Sequence, residues 1–237
     1  MSKPYRYLAL IPAAGLGSRV GQDVPKQYLR LGDHTMLEHS IIAMSSDPRI
    51  ERVFVVVAPS DERWRSIEVD SQRVEFLAVG GTSRAESVLN GLLAFGSRAH
   101  DDDRVLVHDA ARPCLGVDEL ARLIDEVADD ERGGLLAVPQ ADTLKRVEDG
   151  RVTATLDREA VWCAQTPQLF RLASLRAALS AGSLVGVTDE SSAIERSGNF
   201  PLLVLGSVSN IKVTTDQDLA LARAILGERQ WIETELP

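Results

Sequence analysis

The sequence has few cysteines and no long apolar segment. Among its 237 residues there are two cysteines, Cys114 and Cys163, which are too few for a disulfide framework and have no metal-ligand spacing. This cysteine usage predicts a reduced, cytoplasmic protein. No apolar run approaches the ~20 residues that a membrane-spanning helix needs, so we expect no membrane partner.

Positive charge is also in short supply. The chain has 26 Lys and Arg against 35 Asp and Glu, which gives a formal net charge of −9. Such a balance argues against a partner that is a nucleic-acid polymer, because no net positive field attracts a polyphosphate backbone. A small anionic ligand would therefore have to be held by a local cluster of cations.

Short β-branched runs alternate with helical stretches over most of the chain. Because the runs are apolar on both faces, they predict strands that are covered by helices on two sides. The alternation predicts an α/β fold with a doubly wound, mostly parallel sheet in a single domain, 1–237. The predicted strands are 7–11, 52–57, 74–79, 104–107, 135–138 and 202–205. The predicted helices are 35–46, 83–95, 117–129 and 218–226.

One segment, 145–156, does not fit the alternation. It carries Asp149-Gly150 between two β-prone arms, and this dipeptide is a strong signal for a tight hairpin turn. An isolated hairpin is marginally stable in water and should lie against something. Two interpretations remain open: the hairpin packs on its own domain, or it is an arm that docks on a second subunit.

The first predicted strand ends in a small-residue loop. Residues 12–19 are PAAGLGSR, and Pro25-Lys26-Gln27 follow. Small residues let the backbone approach a phosphate closely. Val20 stands where a dinucleotide fingerprint needs glycine, and the Walker lysine pattern is absent. The loop with Arg19 and Lys26 therefore favours a nucleoside triphosphate, the alternative being a turn with two solvated cations.

Two further segments carry charged residues near strand or helix ends. Segment 108–113 is HDAARP, and it follows a predicted strand at the edge where ligands of open α/β sheets bind. Asp109 could hold a ribose hydroxyl or Mg²⁺, and Arg112 could clamp a phosphate, unless the two form a structural ion pair. We expect His108 to be packed or hydrogen-bonded, not a ligand. Lys212 lies in an extended piece just before the last helix, within reach of a site.

The order of these motifs resembles that of the 2-C-methyl-D-erythritol 4-phosphate cytidylyltransferases, a family of the non-mevalonate isoprenoid pathway. The resemblance covers nearly the whole chain. The shared motifs are 12–19 with Pro25-Lys26-Gln27, Gly80-Gly81 with Arg84 and Ser87-Val88, 108–113, Asp142-Thr143, Thr166-Pro167-Gln168, Thr188-Asp189-Glu190 and 210–214. The resemblance implies a Rossmann-like nucleotidyltransferase sheet with a protruding β-hairpin arm.

The resemblance also implies roles for individual residues. The implied catalytic residues are Arg19 and Lys26, which would stabilise the transition state, and Arg158 and Lys212, which would position the methylerythritol phosphate. The implied substrate-binding residues are Ala13, Ala14, Gly81 and Ser87 in the cytidine pocket, the neighbouring Gly15, and Asp109, Arg112, Thr143 and Thr188. No protein ligand is implied for a metal.

The implied reaction joins CTP to a polyol phosphate and releases pyrophosphate. A phosphate monoester has a second pKa near ~6, so the attacking oxygen is ionised at pH 7 and needs no general base. Cations are needed instead, to bring two anions together and to stabilise charge in the transition state. We expect Mg²⁺ or another divalent cation, bound mainly through the CTP phosphates.

The resemblance also favours one of the two interpretations of the hairpin. In this family the arm reaches across a homodimer, so residues 140–160 would be a dimerisation arm. Thr143 and Arg158, which flank the hairpin, would then serve the active site of the partner subunit. The alternatives are a ribitol 5-phosphate cytidylyltransferase, which shares the fold and CTP, and a protein that binds a nucleotide without turnover.

Overall fold

The structure is a computed structural model that describes residues 5–15 and 24–235. Its strands are β1 (Tyr7–Pro12), β2 (Arg30–Leu31), β3 (His34–Thr35), β4 (Ile50–Val56), β5 (Val74–Leu77), β6 (Arg104–Val107), β7 (Gly134–Pro139), β8 (Leu144–Glu148), β9 (Arg151–Leu156), β10 (Trp162–Arg171) and β11 (Leu202–Leu205). Its α-helices are α1 (Met36–Ser45), α2 (Arg84–Ala94), α3 (Val117–Val127), α4 (Leu172–Ser180), α5 (Glu190–Glu195) and α6 (Asp216–Glu235).

Seven strands form the central sheet, in the order β11-β7-β10-β6-β1-β4-β5. All neighbours pair in parallel except β10, which runs antiparallel to both β6 and β7. The predicted doubly wound, mostly parallel α/β fold is confirmed. All six predicted strands are present, with ends that differ by at most two residues.

The strand β10 is the main feature that the apolar pattern did not predict. Its centre carries Gln165, Thr166 and Gln168, and Pro167 has no N–H to donate to a ladder. The pairing of β10 with β7 is interrupted between Ala164 and Gln168. A strand of this composition lacks the apolar run by which the other strands were recognised, although its polar residues are buried.

Two apolar cores lie on opposite faces of the sheet. Alternate residues of β1 belong to different cores: Tyr7, Ala9 and Ile11 pack with α1 and α3, whereas Leu8 and Leu10 pack with α2, α4 and α5. Successive side chains of a strand point to opposite faces, so a strand covered on both sides must be apolar throughout. Within the described residues, no helix combines the length and apolarity needed to cross a membrane.

The predicted hairpin is formed by β8 and β9. Asp149 and Gly150 adopt φ values of 49° and 74° at its tip, as a tight hairpin turn requires. All residues of the two strands are exposed or half-buried, and Val147 and Val152 remain 57% and 62% exposed. The hairpin therefore does not bury its apolar side chains against its own domain.

Candidate active site

A cavity of about 700 Å³ opens at the carboxyl edge of the parallel strands. Its walls come from the loops that follow β1, β4, β5 and β6, from the first turn of α2 and from the segment before α6. This edge is where open α/β sheets bind ligands. The cavity brings together eight of the predicted site residues: Ala13, Ala14, Gly15, Lys26, Gly81, Ser87, Asp109 and Lys212.

The loop after β1 is held by a buried glutamine. The Gln27 amide donates hydrogen bonds to the carbonyls of Ala13 (2.9 Å) and Gly15 (3.0 Å). The N–H of Ala13 donates to the Val56 carbonyl at 2.7 Å. These bonds fix the small-residue wall from two sides, so the loop presents a preorganised surface to a ligand.

The opposite wall is the Gly80-Gly81 turn, which approaches the first loop closely. A Cβ added at Gly80 would lie 2.2 Å from the Ala14 Cβ, so a side chain is excluded there. The Gly81 N–H donates to the Ser87 hydroxyl (3.0 Å), which in turn donates to the Ser83 carbonyl (2.8 Å). Ser87 thus builds the turn that joins Gly81 to the start of α2.

Two lysines lie at the edge of the cavity. Lys26 donates from Nζ to the Val213 carbonyl at 3.1 Å, and Nζ of Lys212 pairs with Oδ2 of Asp109 at 2.7 Å. Lys26 therefore contacts the backbone of the segment that carries Lys212. The arrangement concentrates positive charge locally in a chain whose net charge is negative.

Asp109 is buried between two cations. Arg84 Nε pairs with Asp109 Oδ1 at 2.7 Å, opposite the contact of Oδ2 with Lys212. Burial alone would raise the pKa of Asp109, but the charges of Arg84 and Lys212 outweigh burial and hold the pKa below its usual range. The carboxylate is therefore ionised at neutral pH.

Arg84 is itself held by a second carboxylate. Its Nη1 and Nη2 donate to the two carboxylate oxygens of Glu190 at 2.7 and 3.0 Å. Burial would lower the pKa of Arg84, yet the charges of Glu190 and Asp109 raise it above the usual value. Sequence patterns assigned no role to Arg84, Glu190 or the loop-bracing Gln27; the only signal for them is that they lie within the motifs shared with the family.

His108 is fully buried behind Asp109. Its Nε2 lies 3.1 Å from the Arg112 carbonyl, and its Nδ1 lies 3.1 Å from the hydroxyl of Thr166, which also accepts the Asp109 N–H at 3.0 Å. Burial lowers the pKa of His108 to about 4, so the imidazole is neutral. The prediction that His108 is packed and hydrogen-bonded is confirmed.

Arg112 donates to main-chain carbonyls. Nη1 donates a hydrogen bond to the Asn210 carbonyl at 2.6 Å, and Nη2 donates one to the Ala164 carbonyl at 3.3 Å. Burial lowers the pKa of its guanidinium. Arg112 thus links β10 to the segment that carries Lys212, and its contact with a substrate stays a prediction.

The remaining predicted residues lie away from this cavity. Thr188 lines a second cavity of about 460 Å³, next to Trp162, Phe200 and Leu203. Thr143 and Arg158 are exposed at the base of the hairpin, where Arg158 donates to the Ala141 carbonyl, and neither lines either cavity.

Arg19 lies outside the described residues, so its predicted catalytic role stays a prediction. In the part of the chain that is described, there is no group of three or more His, Cys, Asp or Glu side chains that could hold a metal ion. The carboxylate of Asp109, which borders the cavity, already has both oxygens paired with cations.

Comparison with known families bears directly on this site. The model of the family IspD, 2-C-methyl-D-erythritol 4-phosphate cytidylyltransferase, matches residues 7–228. The chain belongs to this family. As a member of this cytidylyltransferase family, it is a nucleotidyltransferase of isoprenoid biosynthesis, as the motifs implied.

Individual relatives agree with the family assignment. The chain is 51% identical over 225 residues to the 2-C-methyl-D-erythritol 4-phosphate cytidylyltransferase of Nitrosospira multiformis, covering 93% of this chain and 97% of the relative. Identity to the enzyme of the same name from Laribacter hongkongensis is 54% over 224 residues, covering 94% and 96%. A crystal structure of 4-diphosphocytidyl-2C-methyl-D-erythritol synthase superimposes with a TM-score of 0.84 at 41% identity, covering 94% of this chain and all of that one.

Proposed function

We propose that the protein transfers the cytidylyl group of CTP to 2-C-methyl-D-erythritol 4-phosphate, producing 4-diphosphocytidyl-2-C-methyl-D-erythritol and pyrophosphate. The observation that carries this proposal is the family match over residues 7–228, together with a cavity that brings together eight of the site residues that the resemblance implied. Two lysines at the edge of the pocket favour charge stabilisation during transfer over nucleotide binding alone.

The small-residue walls support a nucleoside site. Ala13, Ala14 and Gly15 form one wall, and Gly80 and Gly81 form the other. Walls with no side chain larger than a methyl group leave room for a base and ribose to lie close to the backbone of the two turns. We therefore assign the cytidine of CTP to this part of the cavity.

The lysines support phosphoryl chemistry at the cavity edge. An ionised oxygen of the acceptor phosphate attacks the α-phosphorus of CTP; the new P–O bond forms as the bond to the β-phosphate oxygen breaks, and pyrophosphate leaves with the electron pair. Lys26 and Lys212 would offset the negative charge of the approaching anions and of the transition state. Arg19, outside the described residues, is proposed to assist Lys26.

The proposal includes a divalent cation that is bound by the triphosphate and not by protein side chains. The described residues do not form a metal cage, and the oxygens of Asp109 are occupied, so this donor set fits Mg²⁺ that is carried by the triphosphate and water rather than held by the protein. Such an ion, when bound, neutralises charge on the phosphate oxygens. The cytoplasmic location suggested by the cysteine usage stays a prediction.

The acceptor side of the site is proposed to be completed by a second subunit. Val147 and Val152 of the hairpin are exposed in the single chain, and an isolated two-stranded hairpin is marginally stable in water. The second cavity, beside Thr188, has an apolar rim that includes Phe200, which is 74% exposed. Docking of two copies would bury both surfaces in an isologous homodimer.

In that dimer, Thr143 and Arg158 of each subunit would contribute to the active site of the partner subunit. The test uses a purified heterodimer with one subunit carrying Arg158→Ala and the other Lys26→Ala, selected with two different affinity tags. Shared sites leave one intact site and one doubly damaged site, so about half of wild-type activity is expected. A self-contained site in each subunit leaves the heterodimer as inactive as the two homodimers.

Substrate choice is tested by pyrophosphate release. CTP, UTP, ATP and GTP are each paired with 2-C-methyl-D-erythritol 4-phosphate and with ribitol 5-phosphate, and kcat/KM is compared side by side. We expect CTP with the methylerythritol phosphate to be the preferred pair. Preference for ribitol phosphate would replace the acceptor, and nucleotide binding without pyrophosphate release under all conditions would contradict the proposed reaction.

A further inference from the structure

The ion pair of Glu190 and Arg84 has no part in the chemistry described so far, although Arg84 lines the cavity and Glu190 is buried behind it. The Glu190 side chain is 1% exposed, and its carboxylate accepts two hydrogen bonds from the Arg84 guanidinium. Arg84 is the first residue of α2, and Glu190 is the first residue of α5. Because this ion pair joins the N-termini of two helices beside the cavity, it can control the geometry of the cavity.

All three nitrogen atoms of the Arg84 guanidinium donate hydrogen bonds to carboxylates. Its Nε donates to Asp109 Oδ1 at 2.7 Å, while Nη1 and Nη2 donate to Glu190 at 2.7 and 3.0 Å. A planar guanidinium can serve two carboxylates on adjoining edges, whereas a lysine ammonium cannot hold this arrangement. Glu190 therefore sets the orientation of the guanidinium, and the guanidinium sets the orientation of Asp109.

Asp109 in turn orients Lys212, the lysine at the cavity edge. Its other oxygen, Oδ2, holds Lys212 Nζ at 2.7 Å. A carboxylate this deeply buried needs a cation to remain ionised, and Arg84 keeps that role when a phosphate attracts Lys212. The groups that face Asp109 are Arg84 from α2, Lys212 from the segment before α6, His108 and Arg112 from its own loop, and the hydroxyl of Thr166 from β10.

We propose that Glu190 and Arg84 are positioning residues for cytidylyl transfer, which hold Asp109 in the orientation that presents Lys212 to the reacting phosphates. The proposal rests on the proposed function of the cavity. Neither side chain has to touch the reacting atoms. Glu190 also holds the guanidinium away from the phosphates, where a mobile third cation would compete with Lys26 and Lys212.

The ion pair of Arg84 and Glu190 also connects the segment that forms the nucleotide wall with the segment that lines the second cavity. Gly81, in the nucleotide wall, lies three residues before Arg84, and Thr188, in the second cavity, lies two residues before Glu190. The ion pair thus ties the start of α2 to the start of α5. Productive alignment of the two substrates depends on these two segments keeping a fixed relation to each other.

The test variant is Arg84→Gln combined with Glu190→Gln. Removing both charges avoids leaving either one buried and unpaired, which would destabilise the fold in its own right. We expect kcat to fall by about 10–100-fold, the range found when a residue that orients an active-site group is removed, with a smaller change in KM for CTP. The carboxyl of Asp109 should titrate at higher pH than in the wild type, because it retains one cation in place of two.

The matched control is Arg6→Gln combined with Asp103→Asn. Asp103 is also buried and pairs with Arg6 Nη2 at 2.7 Å, but this pair lies at the amino ends of β1 and β6, opposite the cavity. The control should lose thermal stability while its kcat and the titration of Asp109 stay those of the wild type. It measures what the loss of a structural ion pair does by itself.

Three results would overturn the proposal. The first is a test variant that loses stability like the control but keeps the wild-type kcat. The second is an increase in KM for CTP as large as the decrease in kcat, which would make Arg84 a ligand-binding residue. The third is independent of turnover: the carboxyl carbon of Asp109, followed by NMR, should titrate at higher pH in the test variant, and an unchanged titration contradicts the proposal even if the wild type proves inactive as a cytidylyltransferase.

Discussion

Lowering the pH should destabilise the protein through one buried histidine. His108 is fully buried, and burial lowers its pKa from 6.5 to about 4. The Arg112 carbonyl can only accept, so Nε2 carries the hydrogen and Nδ1 accepts from the Thr166 hydroxyl. Protonation of Nδ1 would remove this acceptor and place a positive charge in the core, where the cost of burial outweighs the attraction of Asp109.

The size of the effect follows from the pKa difference. Because the folded-state pKa is lower than the unfolded-state value, the unfolded chain binds more protons between about pH 4 and 6.5, and the free energy of unfolding falls as the pH falls through this window. The contribution of His108 is complete above pH 6.5; about 2 kcal/mol of it is lost by pH 5 and about 3 kcal/mol by pH 4.

The measurement is chemical denaturation at a fixed protein concentration between pH 8 and pH 4. The wild type is compared with His108→Gln, whose absolute stability will be lower but whose pH dependence in this window should be shallower by these amounts. His100→Gln, at an exposed position, is the matched control and should keep the wild-type slope. His39, whose pKa burial also lowers, contributes equally to all three proteins and cancels in the comparison.

Equal slopes for wild type and His108→Gln would refute the reasoning. Should His108→Gln fail to fold, the wild type alone decides the question: the ring resonances of His108, followed by NMR, should show no titration above pH 5. A titration midpoint near 6.5 would mean that the imidazole is not held neutral by burial.

Three further predictions concern the lysines at the cavity edge, Gly80 in the cavity wall and Gly227 in α6. Lys26→Ala and Lys212→Ala should each lower kcat by about 10²–10³-fold, which is the cost of removing one fixed transition-state donor. The circular dichroism spectrum should stay unchanged. Near-wild-type turnover would remove that lysine from the catalytic assignment. Gly80→Ala should destabilise the fold by about 1–3 kcal/mol and weaken CTP binding, because its Cβ would meet that of Ala14 at 2.2 Å. Gly227→Ala, in α6 with open space around the added Cβ, should instead stabilise the fold by up to about 1 kcal/mol, and the opposite order of melting temperatures would contradict both expectations.

Much of the fold could be predicted because its determinants are local. In β1, apolar residues at every position predict a strand covered on both faces, and the two cores divide its residues alternately. The dipeptide Asp149-Gly150 predicts a hairpin turn because both residues tolerate a positive φ. In α3, Leu120, Leu123 and Ile124 are spaced at helical intervals, and all three are buried.

The antiparallel strand β10 shows where local pattern fails. Gln165, Thr166 and Gln168 are polar, so nothing in their sequence predicts burial. They are buried because partners from distant segments satisfy them: the Gln165 amide donates to Ser207 O at 2.7 Å, and that of Gln168 donates to Asp189 at 2.8 Å. Hydrogen bonds of this kind exist only after β10 has joined the sheet.

The candidate site divides in the same way. The sequence by itself determined the motifs at the strand ends, and it placed Asp109 and Arg112 beside the loop after β1, because the carboxyl ends of parallel strands share one edge of the sheet. For Lys212, the family resemblance implied the same site. Only the tertiary structure decided that Arg84 would link Asp109 to Glu190, a residue that lies 106 positions after Arg84 in the chain. Each of these charges, in an isolated segment, would be solvated. The carboxylates of Asp109 and Glu190 are buried in the assembled fold, which removes water as the alternative partner, so both pair with the guanidinium of Arg84.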